Sequence, residues 1–309
     1  MSVLSQPQFH DEEAAFAWLE KTLWGDTPVC PHCGCMGRIG KIKANPEKRV
    51  RLGLWKCGDC KKQFTVKVGT VFEHARMPLH KMLQAVHLMC SSKKGISAHQ
   101  LHRILEVQYK TAWFLAHRIR EAMRSGELAP MGGGGGTVEI DETFIGRLEG
   151  QPKKRHGGTT TFKNTVFALV ERGGQSRMFH VEGTTKSELQ RIIRANVSAE
   201  AKIMTDEGRW YLGLDKDFAS HQVVNHGRKE YGRGEVYTNT VEGYFSIFKR
   251  GMKGVYQHCK ERHLHRYLAE FEFRYNAREA LEVNDQMRSH RAALGIKGKR
   301  LLYRDSQGT

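Results

Sequence analysis

Before residue 126, apolar residues recur at three- and four-residue intervals in four stretches; after residue 137 they alternate with polar ones, so the pattern predicts helices first and a sheet later. Asp11 is placed to cap a short helix through Trp18 and Leu23, after which Gly25, Pro28 and Pro31 signal irregular structure. Pro78 opens a second helix with Leu79, Met82, Leu83, Val86 and Met89 on one face, and Gly95 closes it. Ser97 and Gln100 form a capping box for a third, carrying Leu101, Ile104 and Leu105. A break at Glu106 to Gln108 leads into YKTAWFLAHRIREAMR, which should bury Ala112, Ala116, Ile119 and Met123 and leave Lys110, Thr111, Arg118 and Arg124 outside. A short helix, a tight turn and a basic helix form the pattern of a helix-turn-helix that lays its last helix in the major groove, with Lys110 and Arg118 as candidate DNA contacts.

The glycine run 132–136 reads as a flexible linker and domain boundary. Strand patterns follow: TVEIDETFIG, then TVFALVERGGQSRMFHVEG as a hairpin turning at Gly173-Gly174, a helix capped near Thr185, and AKIMTDEG, a short apolar strand with an acidic end. Strands followed by helices indicate a mixed α/β domain, and the last stretch, ending KGKRLLYRDSQGT, reads as a loosely ordered basic tail.

Charge narrows the function. Among 309 residues, 50 Lys and Arg face 33 Asp and Glu, a formal balance of +17, and the pI near 9.6 favours a polyanionic partner, above all nucleic acid. The acidic N-terminus MSVLSQPQFHDEEAAFAWLEKTLWG lacks the basic start and apolar core of a secretion signal, and no stretch approaches the roughly 20 apolar residues of a membrane span. The expected location is therefore the cytoplasm.

Seven cysteines include two CxxC pairs, Cys30/Cys33 and Cys57/Cys60, with 23 residues between the pairs. Two thiolate turns at this spacing predict a structural Zn²⁺ ribbon, whose metal supplies folding energy that so small a segment lacks in its core. Trp55 and Phe64 flank the second pair, and Cys35 could replace Cys33, though the two-residue gap favours Cys33. Cys90 and Cys259 read as buried small residues.

Asp141 closes one strand-like run and Asp206 follows another, so both carboxylates can converge at a sheet edge. Phosphodiester chemistry uses such acids to hold two Mg²⁺ ions roughly 3.5 to 4 Å apart, at the attacking and leaving oxygens. A third acid, Glu242, lies in NTVEGYFSIFKRG with thirty-five residues separating it from Asp206. Glu142 and Glu207 are alternative ligands, disfavoured because neighbours on an extended chain point to opposite faces. Asp215, Asp217 and Glu230 read as solvated surface charges, His221 and His226 as structural or close to the metals or DNA, and Tyr267, Phe271, Phe273 and Tyr275 as core rather than base-stacking platforms.

The order Asp, Asp, thirty-five residues, Glu resembles the DDE signature of transposases and retroviral integrases, whose catalytic domain is ribonuclease H-like. IDETFIGR, VNH..EY at 224–231, NTVEGYFSIFKRG and HLHRYLAEFEFRYN at 263–276 are similar more narrowly to the insertion-sequence transposases of the family numbered fifteen-ninety-five. The resemblance extends over nearly the whole chain. It implies Asp141, Asp206 and Glu242 as catalytic ligands of Mg²⁺ (or Mn²⁺). Lys249, with Arg250 beside it, would be a cation for element-end DNA; seven residues from Glu242, Lys249 shares its helix face. It further implies cleavage by metal-activated water, joining of 3′-hydroxyl ends to target DNA, double-stranded element ends and target as partners, several copies of the chain assembled on that DNA, and a bacterial, nucleoid-associated setting. A DNA-binding regulator derived from a transposase, or a nuclease without strand transfer, are the alternatives. The expected divisions are an N-terminal helix at 1–25, zinc ribbon at 26–74, helical DNA-binding domain at 75–126, glycine-rich linker at 127–136, ribonuclease H-like domain at 137–285 and basic tail at 286–309.

Overall fold

A computed structural model describes residues 2–126, 128–151, 162–230 and 232–303. Tyr231, which ends the VNH..EY motif, and the last six residues of the expected tail lie outside them, as does Glu127 of the expected linker. The chain forms two units, Met1–Arg124 with Asn284–Thr309, and Ser125–Val283.

In the first unit, α1 (Glu12–Trp24) starts where Asp11 accepts the Ala14 N–H at 2.6 Å. The ribbon is an antiparallel sheet in the order β1 (Ile39–Lys41), β2 (Trp55–Cys57), β3 (Gln63–Phe64). Buried Glu20 of α1 accepts from Trp55 Nε1 at 2.8 Å and Lys41 Nζ at 3.0 Å, fastening helix to ribbon. Helices α2 (Leu79–Ser91), α3 (Ala98–Leu105) and α4 (Tyr109–Met123) fall where the apolar spacing places them. Ser97 caps α3 by accepting the Gln100 N–H at 3.1 Å, and Glu106 ends it in a left-handed conformation, φ 52°.

Two expectations fail here. Arg118 is buried, not outside: its guanidinium lies 4.6 Å from the Phe114 ring centroid, because the long side chain follows the apolar face of α4. Lys110, Thr111 and Arg124 are exposed as expected. Much of the basic tail is also ordered. Helix α8 (Asp285–Leu294) returns to this unit, with Arg288 donating to Cys90 O at 2.8 Å and Val71 N to Ile296 O at 3.0 Å.

The second unit holds a five-stranded sheet in the order β6-β5-β4-β7-β8. Strands β4 (Thr137–Ile145), β5 (Asn164–Glu171) and β6 (Ser176–Val181) are antiparallel; β7 (Lys202–Thr205) and β8 (Ser220–Val223) run parallel to β4. Val138, Ile140, Phe167 and Leu169 pack on one face against Leu189 and Ile193 of α5 (Lys186–Asn196). Val166, Ala168 and Val170 pack on the other against Val241, Phe245 and Phe248 of α6 (Asn239–Gly251) and Leu268 and Phe271 of α7 (Leu264–Asn276). β5, apolar at nearly every position, is buried on both faces. This is the mixed α/β order of a ribonuclease H-like domain. Among the described residues no helix is long and apolar enough to cross a membrane.

The glycine run belongs to this unit and is a tight turn, not a free linker. Gly132 N donates to Glu171 at 3.0 Å, Gly134 N to Glu200 at 2.8 Å and Gly136 N to Gly132 O at 3.1 Å. Gly132 has φ +73°, and a Cβ there would come within 2.6 Å of Ala201 Cβ, so only glycine fits.

Candidate active site and metal centres

β4 and β7 pair in parallel from Thr137↔Lys202 to Glu139↔Met204, and the same register carried two residues further sets Asp206 beside Asp141. β7 has ended by then, so the edge of β4 is open where the two aspartates meet. Carboxylate oxygens of Asp141, Glu142 and Asp206 all lie within 4.8 Å of one another. Gly208 N donates to Asp206 Oδ1 at 2.9 Å; a Cβ on Gly208 would stand 2.7 Å from Trp210 Nε1 and 3.0 Å from that oxygen.

Alternation sets Glu142 on the other face of β4, as expected, yet its carboxylate still joins the cluster. Its Oε2 accepts from Tyr211 Oη at 2.6 Å and Trp210 Nε1 at 3.2 Å, on the face where Tyr211 packs with Ile140, and at the uncovered strand edge it still reaches its neighbours' ligand distance. Glu207 does point elsewhere: it accepts the N–H groups of His226 and Gly227 at 2.9 and 3.0 Å and so builds their turn.

Glu242 projects from the first turn of α6, where Thr238 Oγ1 donates to it at 2.9 Å and His226 Nε2 stands 3.5 Å away. It lies outside the three-carboxylate set but, with Asp141 and Glu142, lines a groove of 730 Å³ that continues past Ser246, Lys249, Arg250 and Lys253. Acids thus occupy one end of the groove and cations the other.

Burial pushes the Asp141 carboxyl up to about 8, with Glu142, Asp206 and Glu242 adding charge repulsion against the single Glu142 N–H that opposes it. Burial likewise raises Glu142 and Asp206. Like charges this close cannot all ionise unless a cation neutralises them, so the donor set fits a divalent metal with oxygen ligands.

The cysteines meet the same test. Cys30 and Cys60 sulfurs are 3.7 Å apart and Cys33 and Cys57 sulfurs 3.6 Å, near the roughly 3.8 Å that sulfurs about 2.3 Å from one tetrahedral Zn²⁺ require. The Cys60 N–H brings Cys57 down to about 6. Cys33, although the Cys35 N–H lowers it, is pushed up to about 12 by desolvation and the neighbouring thiols, so four thiolates need a cation. Cys35 stands outside the cluster with its thiol held by Asp59, which leaves Cys33 as the fourth ligand.

Residues 134–276 match the family model of the ISXO2-like transposase domain, and residues 10–63 that of the transposase zinc-ribbon domain. The chain carries the transposase and zinc-ribbon domains of IS1595 insertion sequences. A relative described as an uncharacterized protein in transposable element ISH50, from Halobacterium salinarum, is 29% identical over 300 residues, covering 89% of this chain and 96% of the relative. The chain is therefore a transposase, a nucleic-acid-processing enzyme whose family works on DNA, with a zinc ribbon at its N-terminus. The domain match contains Asp141, Asp206, Glu242 and Lys249, and the ribbon match all four zinc-site cysteines. Neither match reaches α2, α3 and α4. Sequence reasoning missed Tyr211 and Trp210, whose link to Glu142 has no local signal, and Lys253, legible as another basic residue on the face of Lys249.

Proposed function

We propose that this transposase binds the ends of its insertion sequence, cleaves them and joins the freed 3′-hydroxyls to target DNA. The observation that supports this best is the single groove that has Asp141 and Glu242 at one end and Lys249, Arg250 and Lys253 along its course. Asp141, Asp206 and Glu242 would hold two Mg²⁺ or Mn²⁺ ions, with Glu142 bearing on the same site. Bound there, the ions would activate water and stabilise the attacking and leaving oxygens. The chain's own contribution is placement. Seven residues of helix carry Lys249 about 10 Å beyond Glu242, so its ammonium meets the phosphate backbone while the acids face the scissile bond.

Hydrolysis forms a bond from water oxygen to phosphorus and breaks the bond to the 3′-oxygen, which leaves as a hydroxyl. In joining, that hydroxyl attacks a target phosphodiester and displaces the target's own 3′-oxygen, so each phosphodiester lost is replaced by one gained. No covalent enzyme intermediate is needed. Helices α3 and α4, separated by the turn at 106–108, would serve as the helix-turn-helix, with exposed Lys110 reaching the duplex. Pairing two element ends calls for at least two copies of the chain, acting where the cell's DNA is.

The test incubates the full chain with Mg²⁺, labelled duplexes carrying the element ends, and plasmid target. Cleaved ends bearing 3′-hydroxyls followed by joined products support the proposal. Cleavage without joining identifies a nuclease, and specific binding without cleavage a regulator.

A further inference from the structure

Glu139 lies two residues before Asp141 on β4 and has no exposed surface. Its Oε2 accepts the N–H groups of Thr240 and Val241 at 2.8 and 3.0 Å, and its Oε1 accepts Thr240 Oγ1 at 2.8 Å and Arg172 Nε at 2.6 Å. Arg172 continues the fastening: it donates to Glu235 O and Tyr237 O, each at 2.8 Å, and its guanidinium lies 3.5 Å from the Tyr237 ring centroid. The chain leading into α6 and the first turn of that helix are thus both held by one ion pair, its carboxylate buried and its guanidinium partly so.

A helix ordinarily begins with an N-cap side chain that accepts the N2 or N3 amide hydrogen. At α6 the N-cap is Thr238, a residue suited to that task, yet its side chain makes no cap bond. Glu139 takes the N2 and N3 amides from the strand. Thr238 Oγ1 is thereby released to donate to Glu242 Oε1 at 2.9 Å. The spacing is parallel on both elements: Glu139 is two residues from Asp141, and the amides it grips are one and two residues from Glu242.

We infer that Glu139 and Arg172 are positioning residues for catalysis: Glu139 replaces the N-cap of α6 and locks the helix in register with β4, so that Glu242 is held at the edge occupied by Asp141. Glu139 is not itself a metal ligand, because it faces the helix amides and is sealed from the groove. The inference rests on the reading of Glu242 as a metal-binding acid.

The experiment uses Glu139→Gln and, to avoid leaving a partly buried arginine without its carboxylate, the double variant Glu139→Gln/Arg172→Met, beside Glu242→Gln, in the full chain. Two quantities are read: amide hydrogen exchange at residues 240–242, and the Mg²⁺ concentration giving half-maximal cleavage of element-end DNA. Positioning predicts faster exchange in both Glu139 variants and a Mg²⁺ midpoint raised about tenfold, with saturating Mg²⁺ restoring most of the rate; a misplacement near 1 Å can cost on the order of 10²-fold in rate. Glu242→Gln should not be restored. Unchanged exchange at 240–242 would overturn the anchor, and faster exchange with an unchanged Mg²⁺ midpoint would reduce the pair to a structural contact. Normal cleavage by Glu242→Gln would instead remove the three-acid reading, while the exchange data would still decide whether Glu139 anchors α6.

Discussion

Replacing Asp141 by Asn should destroy activity yet make the α/β unit more stable at neutral pH in the absence of Mg²⁺. Its carboxyl, raised from 3.8 to about 8, binds a proton in the folded state that the unfolded chain has already released between those values. Stability therefore falls as pH rises through that window, by up to about 1.4 kcal/mol per pH unit. At pH 7 the accumulated cost is about 4 kcal/mol; because Glu142 and Asp206 share the site and adjust with it, roughly 2 kcal/mol is the smaller value to expect. An asparagine has no charge to desolvate, so this cost disappears. Amide hydrogen exchange of β5, the strand buried on both faces, reports opening of this unit, and Mg²⁺-free buffer without chelator leaves the ribbon's zinc in place. Asp141→Asn should exceed wild type at pH 7.5, the difference should shrink at pH 5, and Mg²⁺ should narrow it by stabilising wild type alone. A variant less stable than wild type at pH 7.5, or a difference independent of pH, would refute the electrostatic reasoning.

The zinc site should hold one Zn²⁺ per chain by metal analysis; Cys30→Ser or chelation should unfold the ribbon, whereas Cys35→Ser should leave zinc content unchanged. Duplex binding should weaken steeply with salt, and Lys110→Ala should lower affinity and flatten the salt dependence in a filter-binding titration. Arg118→Ala should act chiefly on stability, by about 1 to 3 kcal/mol in chemical unfolding, because it removes packing on Phe114 from a buried position. Lys249→Ala should weaken binding to element ends in the same titration yet retain some Mg²⁺-dependent nicking, since a phosphate contact positions substrate without activating water.

The acids were legible because strand alternation and sharp strand ends fix where a carboxylate emerges: Asp141 and Asp206 could be placed beside each other before the register of β4 and β7 was known. The cysteine pairs were equally plain, since chain spacing alone constrains a tetrahedral site. What the text concealed depends on long-range packing. Alternation correctly assigns Glu142 to the opposite face but says nothing of an uncovered edge or of Tyr211, sixty-nine positions away, that turns it to the cluster. Five glycines read alike as linker or as turn, and Ala201 and Val138 decide the matter at Gly132. Helix α8 escaped notice because the buried face includes Ala292 and Ala293 while Met287 and Leu294 are exposed, which blurs its apolar stripe. Charge misled at Arg118, whose long stem suits a buried face as well as a DNA surface.

Strand-specific cleavage of element-end duplex by Glu242→Gln, measured beside wild type with Mg²⁺, tests most directly whether these acids form one catalytic site. The substitution keeps the volume and reach of the side chain but removes the charge that would offset the cations. Cleavage should fall by several orders of magnitude with folding and DNA affinity unchanged, and Asp206→Asn should behave alike without further loss in the double variant. Cleavage at the wild-type rate by Glu242→Gln would contradict this, and would leave Asp141, Glu142 and Asp206 to hold the metals alone.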